Sequence, residues 1–145
     1  MVLALGSDHG GFQLKEEIKE LLISDGIEFR DFGCYSEESC DYPDIANEVA
    51  LAVKTGEYDF GLLFCGTGIG MSIAANKVPG IRAACCSDSF SAKYTRMHND
   101  SNILCLGARV VGTGLASELV NIFLNTSFEG GRHQRRIDKI SALEE

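Results

Sequence analysis

Several apolar runs in this chain stop abruptly at polar and glycine residues, which is how side chains capable of chemistry come to stand at the end of a buried strand. The first such stop, Ser7-Asp8-His9-Gly10-Gly11, sets a carboxylate beside an imidazole. Together they can bind a hydroxyl and assist proton movement, although Asp8 would serve equally well as a helix cap. The second stop is Cys65-Gly66-Thr67-Gly68-Ile69-Gly70. Its glycines free the backbone to turn several N–H groups into one concavity, a nest suited to an anion. Neither a Walker loop nor GxGxxG fits the spacing, and a plain strand-to-helix turn would use glycine in the same way. Cys65 precedes a helix expected to start near Met71, whose positive end would ease loss of the thiol proton and make a base or nucleophile. A buried strand cysteine is the alternative. Thr67 offers a hydroxyl to a bound oxygen or to its own turn.

A second set lies elsewhere in the chain. His98-Asn99 leads into an apolar run instead of following one, so if His98 acts it faces a neighbouring subunit's pocket. Arg132 and Arg136, spaced i, i+4, share a helix face and can grip one phosphate. Arg109, just beyond the run ending at Gly107, would make a third guanidinium. A solvated basic helix face explains residues 132–139 as simply.

The chain has 145 residues, 45% hydrophobic and 23% charged, the size and balance of one globular domain. Its net charge of −8 argues against nucleic-acid binding, which needs a basic stripe. The local cluster Arg132, Arg135, Arg136 and Lys139 suits a small anion instead. No apolar run is long enough for a membrane span, and the N-terminus has no basic leader, so a cytoplasmic address is expected. Six cysteines lack any CxxC pair and any zinc-type spacing with His9, His98 and His133, so no metal is expected. Cys85, Cys86 and Cys105 read as buried thiols acting as small hydrophobes.

Elements must position these groups. Apolar runs at 2–6, 59–65, 81–86 and 102–107 have strand length without strict alternation, as for strands covered on both faces, and 27–32 is a weaker fifth. Between them, Leu14, Ile18, Leu21 and Leu22, then Ile45, Val49 and Val53, then Leu115, Leu119, Ile122 and Phe123 repeat at helical spacing. A last helix over about 132–145 is marked by Ile137, Ile140 and Leu143. Pro43 falls at a helix start and Pro79 in a loop. Alternating strands and helices predict an α/β fold, a three-layer αβα sandwich around a five-stranded parallel sheet, in one domain spanning 1–145.

Six segments in order, SDHGGFQLK, DYPDIA, FCGTGIGMSIAANKVPGIRA, RMHNDSN, GARVVG and EGGRHQRRI, closely resemble the type B ribose-5-phosphate isomerases, whose family includes galactose- and allose-6-phosphate isomerases. The resemblance covers essentially the whole chain. It implies a Rossmann-like sheet of order 2-1-3-5-4 and interconversion of D-ribose 5-phosphate and D-ribulose 5-phosphate through a cis-enediolate, without metal or cofactor. It also implies a homodimer, or a pair of such dimers, with the active site between subunits. By resemblance Cys65 is the base, and the amides of Gly66, Thr67, Gly68, Ile69 and Gly70 hold the oxyanion. Asp8, Thr67 and His98 assist ring opening, and Asn99 arrives with His98 from the partner to position the sugar. His9, Arg109, Arg132 and Arg136 hold the phosphate, and Tyr42 lines the pocket. Some relatives place a glutamate base just after the glycine loop; here that position is Met71.

Two rivals stand beside this reading. A hexose 6-phosphate isomerase would keep the chemistry in a longer pocket. A phosphosugar-binding module would need the glycine turn and arginines but no base.

Overall fold

The structure is a computed structural model that describes residues 1–144. Strand and helix alternate through β1 (Val2–Ser7), α1 (Phe12–Ser24), β2 (Glu28–Asp31), α2 (Tyr42–Lys54), β3 (Phe60–Cys65), α3 (Ile69–Ala75), β4 (Ala83–Cys85), α4 (Ser89–Asn99), β5 (Ile103–Gly107), α5 (Thr113–Asn125) and α6 (Arg132–Ser141), with a 3-10 turn at Ala142–Glu144. All strands pair in parallel in the order β2-β1-β3-β5-β4. The anticipated α/β fold and sheet order are both present.

Side chains alternate across the three central strands, and each face has its own core. Leu3 and Leu5, Leu62 and Phe64, and Leu104 and Leu106 point to one side, where α1 contributes Leu14, Ile18 and Leu22 and α5 contributes Leu119, Val120 and Phe123. Ala4, Leu63, Cys65, Ile103 and Cys105 point to the other, packed with Val49 and Val53 of α2 and Met71 and Ala75 of α3. Cys65 therefore shares a face with the helix that follows it. Because both faces are covered, β1, β3 and β5 read as continuous apolar runs.

Charged residues also enter the interior. Lys15 is wholly buried, and its Nζ donates to Asp31 Oδ1 at 2.8 Å and to the Cys34 carbonyl. Burial alone would push Asp31 up, but bonds from Lys15, the Gly33 amide and Lys19 outweigh it and hold the carboxyl below its ordinary range. Gly33 and Cys34 in turn exchange backbone bonds with Ser7, so this pair fixes the loop beside the end of β1. Arg96, also buried, donates to Asp100 and to the Ser101 and Thr126 carbonyls, with its guanidinium over the ring of Phe60.

Some boundaries differ from the expected ones. The fourth strand covers Ala83–Cys85 only, because the Arg82 amide donates to the Asn102 side chain instead of a ladder partner. Cys85 is exposed, not buried: it closes an edge strand, with a neighbour on one side alone. The helix after the glycine loop begins at Ile69, two residues before Met71, and α6 gives way to the 3-10 turn after Ser141. The last residue of the expected C-terminal helix, Glu145, lies outside the described residues.

Candidate active site

The carboxyl ends of β1, β3 and β5 meet side by side, with Ser7 opposite Phe64 and Cys65 opposite Gly107. The loops leaving these strands are tied together by the backbone. The Asp8 amide donates to the Phe64 carbonyl, that of Ala108 to Cys65 and that of Arg109 to Gly66. Asp8, His9, Cys65 to Gly70 and Arg109 are thereby collected at one sheet edge.

Asp8 is 7% exposed, and its Oδ1 accepts the Gly11 amide at 3.0 Å, so it caps the turn into α1 as well as standing beside the loop after β3. Gly11 permits that approach: a Cβ there would lie 2.3 Å from the Phe64 carbonyl carbon. Cys65 is 4% exposed, and its Sγ accepts the Gly68 amide at 3.0 Å. Gly68 sits at φ 81°, in the left-handed region, and this reversal folds its N–H back onto the sulfur. Thr67 is exposed, and its Oγ1 accepts from the Ile69 amide, which leaves the hydroxyl proton to donate elsewhere. The Gly68 amide thus holds the Cys65 sulfur at the start of the glycine loop.

His9 is exposed, and its Nδ1 accepts from the Cys40 amide at 3.3 Å. An accepting Nδ1 assigns the ring proton to Nε2, which can donate to an anion. The Arg109 guanidinium lies over Gly66, 3.5 Å from where a Cβ would stand. Tyr42 opens α2 with its ring against Gly70. A proton acceptor, backbone donors, a protonated imidazole nitrogen and a guanidinium are the parts needed to move a proton on an anchored anionic substrate.

His98, Asn99, Arg132 and Arg136 form a separate group on α4 and α6. Among the described residues no hydrogen bond, ion pair or ring contact joins them to Cys65, the glycine loop or Arg109. Among the described residues, cavities of about 610, 390 and 400 Å³ open on the surface, and none of these is lined by Cys65. The largest lies between residues 76–84 and the C-terminal turn.

Sequence reasoning missed Glu129 and His133, which gather against His98, and missed Cys85, whose Sγ faces the Thr67 carbonyl at 3.5 Å beneath the loop. No spacing signalled the first, because Glu129 precedes the start of α6 and the helical i, i+4 rule does not reach it.

The profile of the family described as Ribose/Galactose Isomerase matches residues 3–140. The chain is 52% identical to the ribose-5-phosphate isomerase B of Escherichia coli, over 99% of this chain and 96% of that one. A solved structure of Clostridium thermocellum ribose-5-phosphate isomerase B superposes with TM-score 0.98 at 55% identity, covering 99% and 97% of the two chains. The ribose-5-phosphate isomerase B of Mycoplasma genitalium, solved with bound ribulose 5-phosphate, superposes with TM-score 0.93 at 43% identity, covering 99% and 95%.

Proposed function

The chain belongs to the ribose/galactose isomerase family, and on that premise we infer that it interconverts D-ribose 5-phosphate and D-ribulose 5-phosphate. The observation that carries the reading is the Cys65 sulfur under the Gly68 amide, in a chain so similar along its whole length to ribose-5-phosphate isomerases B.

Cys65 removes the proton from C2 of the open-chain aldose, leaving a cis-enediolate, and returns it to C1 to give the ketose. The loop amides of residues 66–70 hold the oxygen on which charge develops. Asp8, Thr67 and His98 assist furanose opening, and Asn99 positions the sugar. His9, Arg109, Arg132 and Arg136 bind the phosphate, and Tyr42 lines the pocket.

The separation of His98, Asn99, Arg132 and Arg136 from Cys65 within one chain supports a homodimer in which each subunit completes the other's site. No helix among the described residues is long and apolar enough to cross a membrane. The reaction asks for no metal or cofactor, because the base and the anion-binding groups are all side chains and amides of this chain.

The test is turnover of ribose 5-phosphate in the presence of a chelator, run beside allose and galactose 6-phosphates. Ribose 5-phosphate is the expected substrate, and a clear hexose preference overturns that assignment. Cys65→Ala should abolish isomerisation while binding survives. Wild-type protein that binds sugar phosphates without exchanging the C2 proton with solvent is a binding module instead.

A further inference from the structure

Two imidazoles lie face to face between α4 and α6. His98 and His133 stack with ring centroids 4.1 Å apart and planes 13° from parallel. Tyr94, one turn earlier on α4, meets His98 edge-on at 5.0 Å. A single carboxylate oxygen, Glu129 Oε2, stands 3.7 Å from His98 Nε2 and 3.8 Å from His133 Nε2, so one negative charge serves both rings. The rings differ in setting. His133 is 5% exposed and its Nε2 has no hydrogen-bond partner among the described residues, whereas the His98 side chain is 38% exposed.

The nitrogen and oxygen atoms lie within 4.8 Å of one another, near enough to consider a metal. Imidazole lone pairs lie in the ring plane, however, and two stacked, nearly parallel rings do not aim both at one ion. Burial first, and then the facing His98, hold His133 below its ordinary range; Arg132 and Arg136 on its own helix act in the same direction, and Glu129 opposes them. His98 keeps contact with solvent, has the carboxylate at its edge and rests on the flat face of the buried ring, so it is the member of the pair that a substrate can reach.

We propose that Glu129 and His133 are positioning residues for His98, the buried ring fixing the plane of the exposed one and the carboxylate orienting its Nε2 edge. The proposal rests on the reading of His98 as the acid of ring opening. In that step the C1–O4 bond of the furanose breaks, O4 takes the proton from His98, and the C1 hydroxyl gives its proton to Asp8 as the aldehyde forms. Glu129 and His133 act on the step through His98.

Two assays separate this role from a structural one. Conversion of ribose 5-phosphate, a closed furanose, requires ring opening. Exchange of the C1 proton of ribulose 5-phosphate with D2O passes through the enediolate and opens no ring, because the C5 hydroxyl of that ketose is esterified. Glu129→Gln and His133→Ala are expected to lose about 10- to 100-fold in conversion and to keep proton exchange within about threefold. His133→Phe, which restores a flat uncharged floor, is expected to keep conversion within about threefold of wild type. Equal loss in both assays signals a disturbed fold and overturns the proposal. So does unchanged conversion in Glu129→Gln and His133→Ala when His98→Asn is inactive. Normal conversion by His98→Asn instead removes the reading beneath the proposal, and that variant tells the two failures apart.

Discussion

The amide of Gly68 points back at the sulfur of Cys65, three residues earlier, and the two are 3.0 Å apart. The contact depends on the left-handed backbone of Gly68, and a Cβ there would stand 3.0 Å from both Cys85 Sγ and the Leu106 carbonyl carbon. Gly68→Ala should therefore cost about 1–3 kcal/mol of stability through backbone strain. It should also lower kcat at least about tenfold, since the amide that orients the Cys65 sulfur is displaced and small misplacements of a reacting group have effects of that order or more. Urea unfolding and steady-state kinetics on the same preparation check both.

Gly70 presents a milder version of the same question. A Cβ at this position would fall 2.8 Å from the ring of Tyr42, which is 40% exposed and free to swing away. Gly70→Ala should leave unfolding stability within about 1 kcal/mol of wild type, helped by the better helix propensity of alanine. The displaced ring should raise KM for the sugar phosphate about two- to tenfold with less effect on kcat, the mark of lost substrate binding.

Lys15 and Asp31 form the interior ion pair whose removal should be felt most. Lys15→Met leaves the Asp31 carboxylate without its buried partner, and about 3–5 kcal/mol of stability should be lost. Lys15→Met combined with Asp31→Asn should recover part of that loss, because no buried charge is then stranded. Denaturant titration of the two variants measures the difference.

Acid should weaken the fold through the same pair. The folded carboxyl of Asp31 lies below its ordinary value of 3.8, so its contribution is complete above that value and disappears as pH falls through the lowered one. Asp31→Asn should be less stable than wild type at neutral pH, and the gap should narrow as acid protonates the native carboxyl. Urea midpoints measured from pH 6 downward test the trend; a gap that widens in acid contradicts it.

How much of this could be read from residues alone varies with the element. β1, β3 and β5 were legible within a residue at either end because they are buried on both faces and carry little but apolar side chains. β4 was drawn too long because Ile81 is buried in a turn that looks like strand from its hydrophobicity. The positions of Asp8, Cys65 and Arg109 followed from the rule that polar residues after parallel strands gather at one edge. Lys15 was illegible as a buried group: its partner arrives sixteen residues later at the end of β2, and lysine by itself reads as surface. The stacking of His98 on His133 was hidden for the same reason, since only packing of α4 against α6 brings them together.

Order along the chain and order across the sheet disagree at β4 and β5, and that has a bearing on synthesis. β4 pairs with β5 alone, and β5 is the strand that covers the open side of β3. A nascent chain that has emerged only as far as α4 therefore carries β4 with nothing to pair to and β3 with a bare row of amides and carbonyls. That unsatisfied edge is open to other chains until Gly107 has left the ribosome, so the interval between translating β3 and β5 is when this protein most needs a chaperone.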